Sequence, residues 1–126
     1  MAACILCLAL MSSRAQADGL PDLDPIAWGI LGGRCNAQIF FVDVANPGSA
    51  DAGPFRVDLR INGHLVASWE LRGLAAGDVV RTPGQEVKLG DHTPGEHRVG
   101  MIVDPDRRIA ESDEHNNAER IGGFYC

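Results

Sequence analysis

Apolar residues recur at every second position through most of this chain. In residues 55–62, Phe55, Val57, Leu59 and Ile61 fall on one face, while Arg56, Asp58 and Arg60 fall on the other. That alternation predicts a strand with one dry and one wet face, as antiparallel sheets have. Residues 37–46 read the same way, with Phe40, Val42 and Val44 on one face. Ile39, Phe41, Asp43 and Ala45 occupy the other face, so that face is half apolar. Residues 64–71 predict a return strand that places Leu65, Ala67, Trp69 and Leu71 together. Asn62-Gly63 between the two runs is a strong hairpin signal, because a type I′ turn needs positive φ at both central residues.

Shorter strands are predicted at 79–82, 86–89, 97–103 and 117–126, the last loosened by Gly122-Gly123. Residues 20–30 are apolar but interrupted by Pro21 and Pro25, which confines them to an edge strand or an extended lead-in ended by Gly32-Gly33. Turn residues separate the runs at Asn46-Pro47-Gly48, Pro83-Gly84 and Thr93-Pro94-Gly95. No sustained helical period occurs; a single helical turn is expected near 111–115. About seven short strands between such turns predict an all-β, immunoglobulin-like antiparallel β-sandwich.

The first residues depart from this pattern. Ile5, Leu6, Leu8 and Leu10 form a short apolar run without charge, followed by Ala15-Gln16-Ala17. This matches the apolar and cleavage regions of a secretory signal, so residues 1–17 are expected to be removed, leaving one domain at 18–126. The run is too short to span a bilayer. The formal charge of −6 grows more negative once Arg14 leaves. An acidic chain of this kind repels phosphate backbones, which argues against a nucleic-acid partner. Export also bears on the cysteines. Cys4 and Cys7 lie in the leader, and the remaining pair, Cys35 and Cys126, is expected to form a disulfide.

Several ordered pieces of the chain resemble the bacterial cell-adhesion-related domain, CARDB. They are Pro21-Asp22-Leu23, Val42-Asp43-Val44-Ala45-Asn46-Pro47-Gly48, Phe55-Arg56-Val57-Asp58-Leu59, Asn62-Gly63, Leu74-Ala75-Ala76-Gly77 and Pro94-Gly95-Glu96-His97-Arg98-Val99. The most specific piece runs from Val103-Asp104-Pro105-Asp106 through Glu111-Ser112-Asp113-Glu114 to Asn116-Asn117. The resemblance implies an immunoglobulin-like module of exported proteins and a role in binding rather than catalysis. The cysteine pair lies outside the family pattern.

The acidic segment 104–117 is the constellation with the most chemical content. Its oxygen-bearing side chains, Asp104, Asp106, Glu111, Asp113 and Glu114, are of the kind Ca²⁺ prefers, and they define a candidate weak cation site. The EF-hand template does not fit, because Arg108 and Ile109 stand where an oxygen ligand and Gly are required. The competing reading is structural: Asp104-Pro105 opens a turn, Ser112 or Asp113 caps a helical turn, and Asn116 and Asn117 bond to exposed backbone. His64, His92, His97 and His115 lack the spacing of a zinc site. No Gly-x-Ser-x-Gly elbow occurs, and no carboxylate pair is singled out for acid–base work.

A non-catalytic module recognising a protein or surface ligand is therefore the leading reading. Ile39, Phe41, Asn116 and Asn117 are its candidate interaction surface. The alternatives are an accessory subunit assembling through the apolar outer face, or a small secreted enzyme or enzyme inhibitor.

Overall fold

The computed structural model describes residues 19–89, 95–111 and 119–126. The expected leader at 1–17 and most of the expected helical turn lie outside those residues. Among the described residues there are eight strands: β1 (Asp24–Arg34), β2 (Ala37–Ala45), β3 (Phe55–Ile61), β4 (His64–Leu71), β5 (Val79–Arg81), β6 (Gln85–Lys88), β7 (Glu96–Val103) and β8 (Arg120–Tyr125). They form two antiparallel sheets packed as a β-sandwich. In the first, β1 pairs with β2, and β2 pairs along its other edge with β5 and then β6. The second has the order β4-β3-β7-β8. Among the described residues there is no helix, hence none long and apolar enough to cross a membrane.

The alternation seen in the sequence builds the core. Phe40, Val42 and Val44 of β2 face Phe55, Val57, Leu59 and Ile61 of β3 and Val99, Met101 and Val103 of β7, all buried. Asn62-Gly63 makes the expected tight turn, with φ of 52° and 83°. Trp69 is buried, and its indole N–H donates to the Pro83 carbonyl at 3.0 Å, joining the second sheet to the break between β5 and β6. That break is held by Thr82, whose Oγ1 accepts from the Val42 amide at 2.8 Å while its own amide donates to the Val42 carbonyl at 2.9 Å.

Two expectations about faces and ends are corrected. Leu59 pairs with Ala67 and Arg60 with Leu65, so Val66 is an extra residue in β4. A bulge of this kind breaks the period of two. Ala67 and Trp69 stay in the core, but Leu65 turns outward and is 58% exposed, while Val66 packs against the core. Gly32-Gly33 does not end β1. The strand continues to Arg34 and turns into β2 at Cys35-Asn36. Gly33 serves this hairpin instead: its φ is 111°, and a Cβ there would lie 2.3 Å from the Ala37 carbonyl oxygen.

Asn46 is the polar centre of one end of the sandwich. Its side chain is fully buried and makes four hydrogen bonds. Nδ2 donates to the carbonyls of Ala50 and Leu74, both at 2.9 Å. Oδ1 accepts from the amides of Asp22 at 3.0 Å and Gly48 at 3.1 Å. Its backbone also bonds to Asp78 and Gly77. One amide side chain thus joins the lead-in to β1, the β2–β3 loop and the loop before β5.

Candidate interaction surfaces

The acidic turn after β7 is organised by backbone hydrogen bonds. Asp104 has φ of 52°, a left-handed conformation that Asp tolerates better than most side chains, and it is only 1% exposed. Its Oδ1 accepts from the Arg108 amide and its Oδ2 from the Ile109 amide, each at 2.9 Å, and its carbonyl accepts from the Arg107 amide at 3.0 Å. Glu111 is buried and its Oε1 accepts from the Leu23 amide, which ties the turn to the lead-in of β1.

Asp106 points the other way, onto the outer face of the second sheet. Arg56 reaches it at 3.3 Å and Arg108 at 3.4 Å. Three of the five candidate cation ligands are therefore bonded to backbone amides or to arginines; Asp113 and Glu114 lie outside the described residues. Among the described residues, no group of three or more His, Cys, Asp or Glu is arranged to hold a metal ion.

The outer face of the second sheet carries an ionic network that alternation alone does not reveal. Asp58 is buried although it faces outward. It accepts from Arg56 Nε at 3.0 Å, Arg56 Nη2 at 3.2 Å and Ser68 Oγ at 2.7 Å. Arg108 bonds to Glu70 at 2.9 Å in the next row. The hydrogen bond that Arg56 donates to Asp58 raises the Arg56 pKa, burial opposes it, and the charges of Asp58, Asp106 and Glu70 add to the rise. Arg108 is raised likewise, first by its bond to Glu70. Both guanidiniums begin from a value already far above neutral, so a rise leaves them charged throughout the neutral range.

Phe41 lies on the outer face of the first sheet, as its parity requires, but it is only 9% exposed. Its ring lies against Gly29, its partner on β1; a Cβ on that glycine would meet the ring 2.4 Å away. Above the ring sits the guanidinium of Arg81, 3.9 Å from the centroid and held by Asp43 at 2.8 Å. A glycine provides the berth and a cation covers it. Phe41→Ala should lower stability by about 1–2 kcal/mol, less than for a fully buried Phe because the outer face can be rewetted. Urea denaturation of both proteins measures it. Ile39 is half-buried beside the exposed Leu31. Asn116 and Asn117 lie outside the described residues.

The expected disulfide is present. Cys35, in the β1–β2 turn, is bonded to Cys126, just past β8, with Cα atoms 5.6 Å apart. It joins the two sheets at one end of the sandwich.

The four sheet edges differ. β1 carries Pro25 and two register shifts, at Pro25/Ala27 and Ile30/Gly32. β4 carries the bulge at Val66. The edge opposite β1 is divided between a three-residue and a four-residue strand, with Pro83 between them. Proline, bulges and short strands are the usual means of blocking an edge. β8 has none of them. Its six residues pair with β7 without a register shift, and on its outer face Ile121 is 54% and Tyr125 80% exposed, with Gly123 between them. Arg120, its one charged residue, is turned to Asp24 at 3.1 Å. The signal for this surface was in the sequence: Ile121, Gly123 and Tyr125 share one parity, but Gly122-Gly123 reads first as a weakened strand.

The described residues thus form an all-β sandwich with a paired core, a hydrogen-bonded acidic turn and one uninterrupted edge strand. The chain belongs to the CARDB family, whose model matches residues 27–120. No curated protein sequence matches it significantly. Among solved structures it is similar to the CARDB domain of a Pyrococcus furiosus protein, determined in complex with di-metal ions. That match has a TM-score of 0.67 and 23% identity, covering 84% of this chain and 93% of that one. It is also similar to a domain of a protein described as a cell surface protein from Methanosarcina acetivorans. There the TM-score is 0.68 and the identity 20%, covering 84% and 91% of the two chains. A part of β-glucosidase 3B from Thermotoga neapolitana matches at TM-score 0.57 and 15% identity, over 83% of this chain and 16% of that one. At these identities the likeness is one of fold.

Proposed function

We propose that this chain is a non-catalytic interaction module, acting outside the cytoplasm, that takes a protein partner by strand addition at β8. The observation that carries the reading is the contrast between edges: among the described residues three are interrupted by proline, bulges or short strands, and β8 is regular, apolar on its outer side and paired with β7 alone. An added strand gains main-chain hydrogen bonds from such an edge, and its alternate side chains set specificity against Ile121 and Tyr125. Family membership and the cell-surface description of the Methanosarcina protein support a place outside the cytoplasm. Assembly through the outer face of the first sheet has less support, because Phe41 is covered by Arg81.

The test is a charge placed on the edge. Ile121→Lys should leave stability within about 0.5 kcal/mol, as surface changes usually do. It should abolish capture of any protein that the wild type retains from its native extracellular fraction. Leu65→Lys, on the opposite edge, should leave capture intact. Retention by Ile121→Lys and loss by Leu65→Lys would move the site to β4.

A cation at the acidic turn is a second reading, supported by the di-metal complex of the Pyrococcus domain. It requires Asp106 to exchange Arg56 and Arg108 for the ion.

A further inference from the structure

The bond between Cys35 and Cys126 closes on a terminal strand with little hold of its own. We propose that it is a redox-controlled latch on β8: a dithiol reductant frees this strand while the other seven remain folded.

None of the buried side chains that make up the core comes from β8. Phe124 is its only large side chain directed inward, and it is partly buried. Its ring centroid lies 6.0 Å from that of Trp28, 5.7 Å from Phe40 and 5.0 Å from His97. Gly122 and Gly123 lengthen the ladder without adding apolar burial and cost more backbone entropy than other residues. What remains is pairing to a single neighbour, β7, and attachment near the two ends. At one end Arg120 meets Asp24. At the other, Cys126 exchanges backbone hydrogen bonds with Gly95 at 2.9 and 3.1 Å and is covalently held to the hairpin of the opposite sheet. Segments with few buried contacts open at lower free energy than the core. The disulfide removes that option by fixing the residue that follows the strand.

The sulfur environment suits an exchange reaction. Cys35 is exposed, whereas Cys126 is half-buried and its Sγ accepts a hydrogen bond from Gln38 Nε2 at 3.5 Å. A thiolate of the reductant attacks Cys35 Sγ, the Cys35–Cys126 S–S bond breaks, and its electron pair leaves on Cys126 Sγ beside the Gln38 donor. That thiolate takes up a proton. The second thiol of the reductant, after losing its own proton, then displaces Cys35, and the reductant becomes a cyclic disulfide. Two electrons and two protons have passed to the bridge, giving two cysteine thiols. β7 then becomes the edge of its sheet, and Trp28 and Phe40 lose the cover of Phe124. This holds whether or not β8 takes a partner, and its test reads the strand itself.

Hydrogen exchange followed by mass spectrometry on the full chain, folded and oxidised and then treated with excess dithiothreitol, decides the matter. On reduction the amides of β8 should exchange at least about tenfold faster, while those of β2 and β3 keep their protection. Faster exchange throughout β2 and β3 would show a general staple rather than a latch and overturn the proposal; so would unchanged protection in β8. Cys126→Ser should show the released pattern without reductant, and full protection of β8 in that variant would equally overturn it. If Cys126→Ser does not fold, reduction of the already folded wild type gives the answer.

Discussion

Asn46→Ala should lower the stability of the domain by about 3 kcal/mol or more. The removed amide serves two backbone donors, on Asp22 and Gly48, and two backbone acceptors, on Ala50 and Leu74. The bond to the Leu74 carbonyl is buried and the other three are partly buried, and each buried group left without a partner costs about 1–3 kcal/mol. Asn46→Asp keeps the shape and both acceptor sites but loses both donors, and it places a carboxylate at a site with no exposed surface. It should therefore be no better than Asn46→Ala, although it is the smaller change. Urea unfolding of the three proteins measures the order. A loss below about 1 kcal/mol for Asn46→Ala would mean that the three segments find other partners, and that the amide is not their junction.

The second large effect is expected at Asp104. Asp104→Ala should cost about 2–3 kcal/mol, from two amides losing their acceptor and from an alanine held at positive φ. Asp104→Asn keeps one acceptor and tolerates the left-handed conformation, so it should lose roughly half as much. The comparison gains force when both proteins are unfolded with Ca²⁺ and again with a chelator. A carboxylate engaged by backbone amides predicts the same loss in both media. A wild type that Ca²⁺ stabilises, and an Asp104→Ala protein that it does not, would instead give the turn a cation. A ligand that binds only the folded state raises stability in proportion to the logarithm of its concentration. Asp106→Ala separates the two readings further, because Asp106 faces arginines on the surface and bonds to none of those amides.

The strands were legible because their side chains report water on one side and core on the other. Phe55, Val57, Leu59 and Ile61 alternate with charged residues in the sequence, and in the fold they are buried while Arg56 and Arg60 are only partly so. Legibility failed where the backbone departs from strict alternation. The extra residue at Val66 turned Leu65 outward, and nothing in the composition of 64–71 marks a bulge. Asp58 and Phe41 lie on outer faces, as their parity says, yet both are buried, each by a neighbour distant in sequence: Ser68 for one, Arg81 for the other. Parity tells which side a residue faces and not what lies above it. The acidic turn was read correctly as rich in oxygen, but the donors that satisfy Asp104 are amides of its own loop, and those appear only once φ is known. The open edge at β8 was hidden for a different reason: what distinguishes it is the blocking of the other three.

The bridge between Cys35 and Cys126 has one more consequence, topological rather than energetic. It makes residues 35–126 a closed covalent loop that contains seven of the eight strands. A single peptide-bond cut anywhere inside that loop, in the β2–β3 connection for example, leaves one molecule and not two. A protease that nicks the domain there releases no fragment, and the damage comes to light only when the sulfurs part.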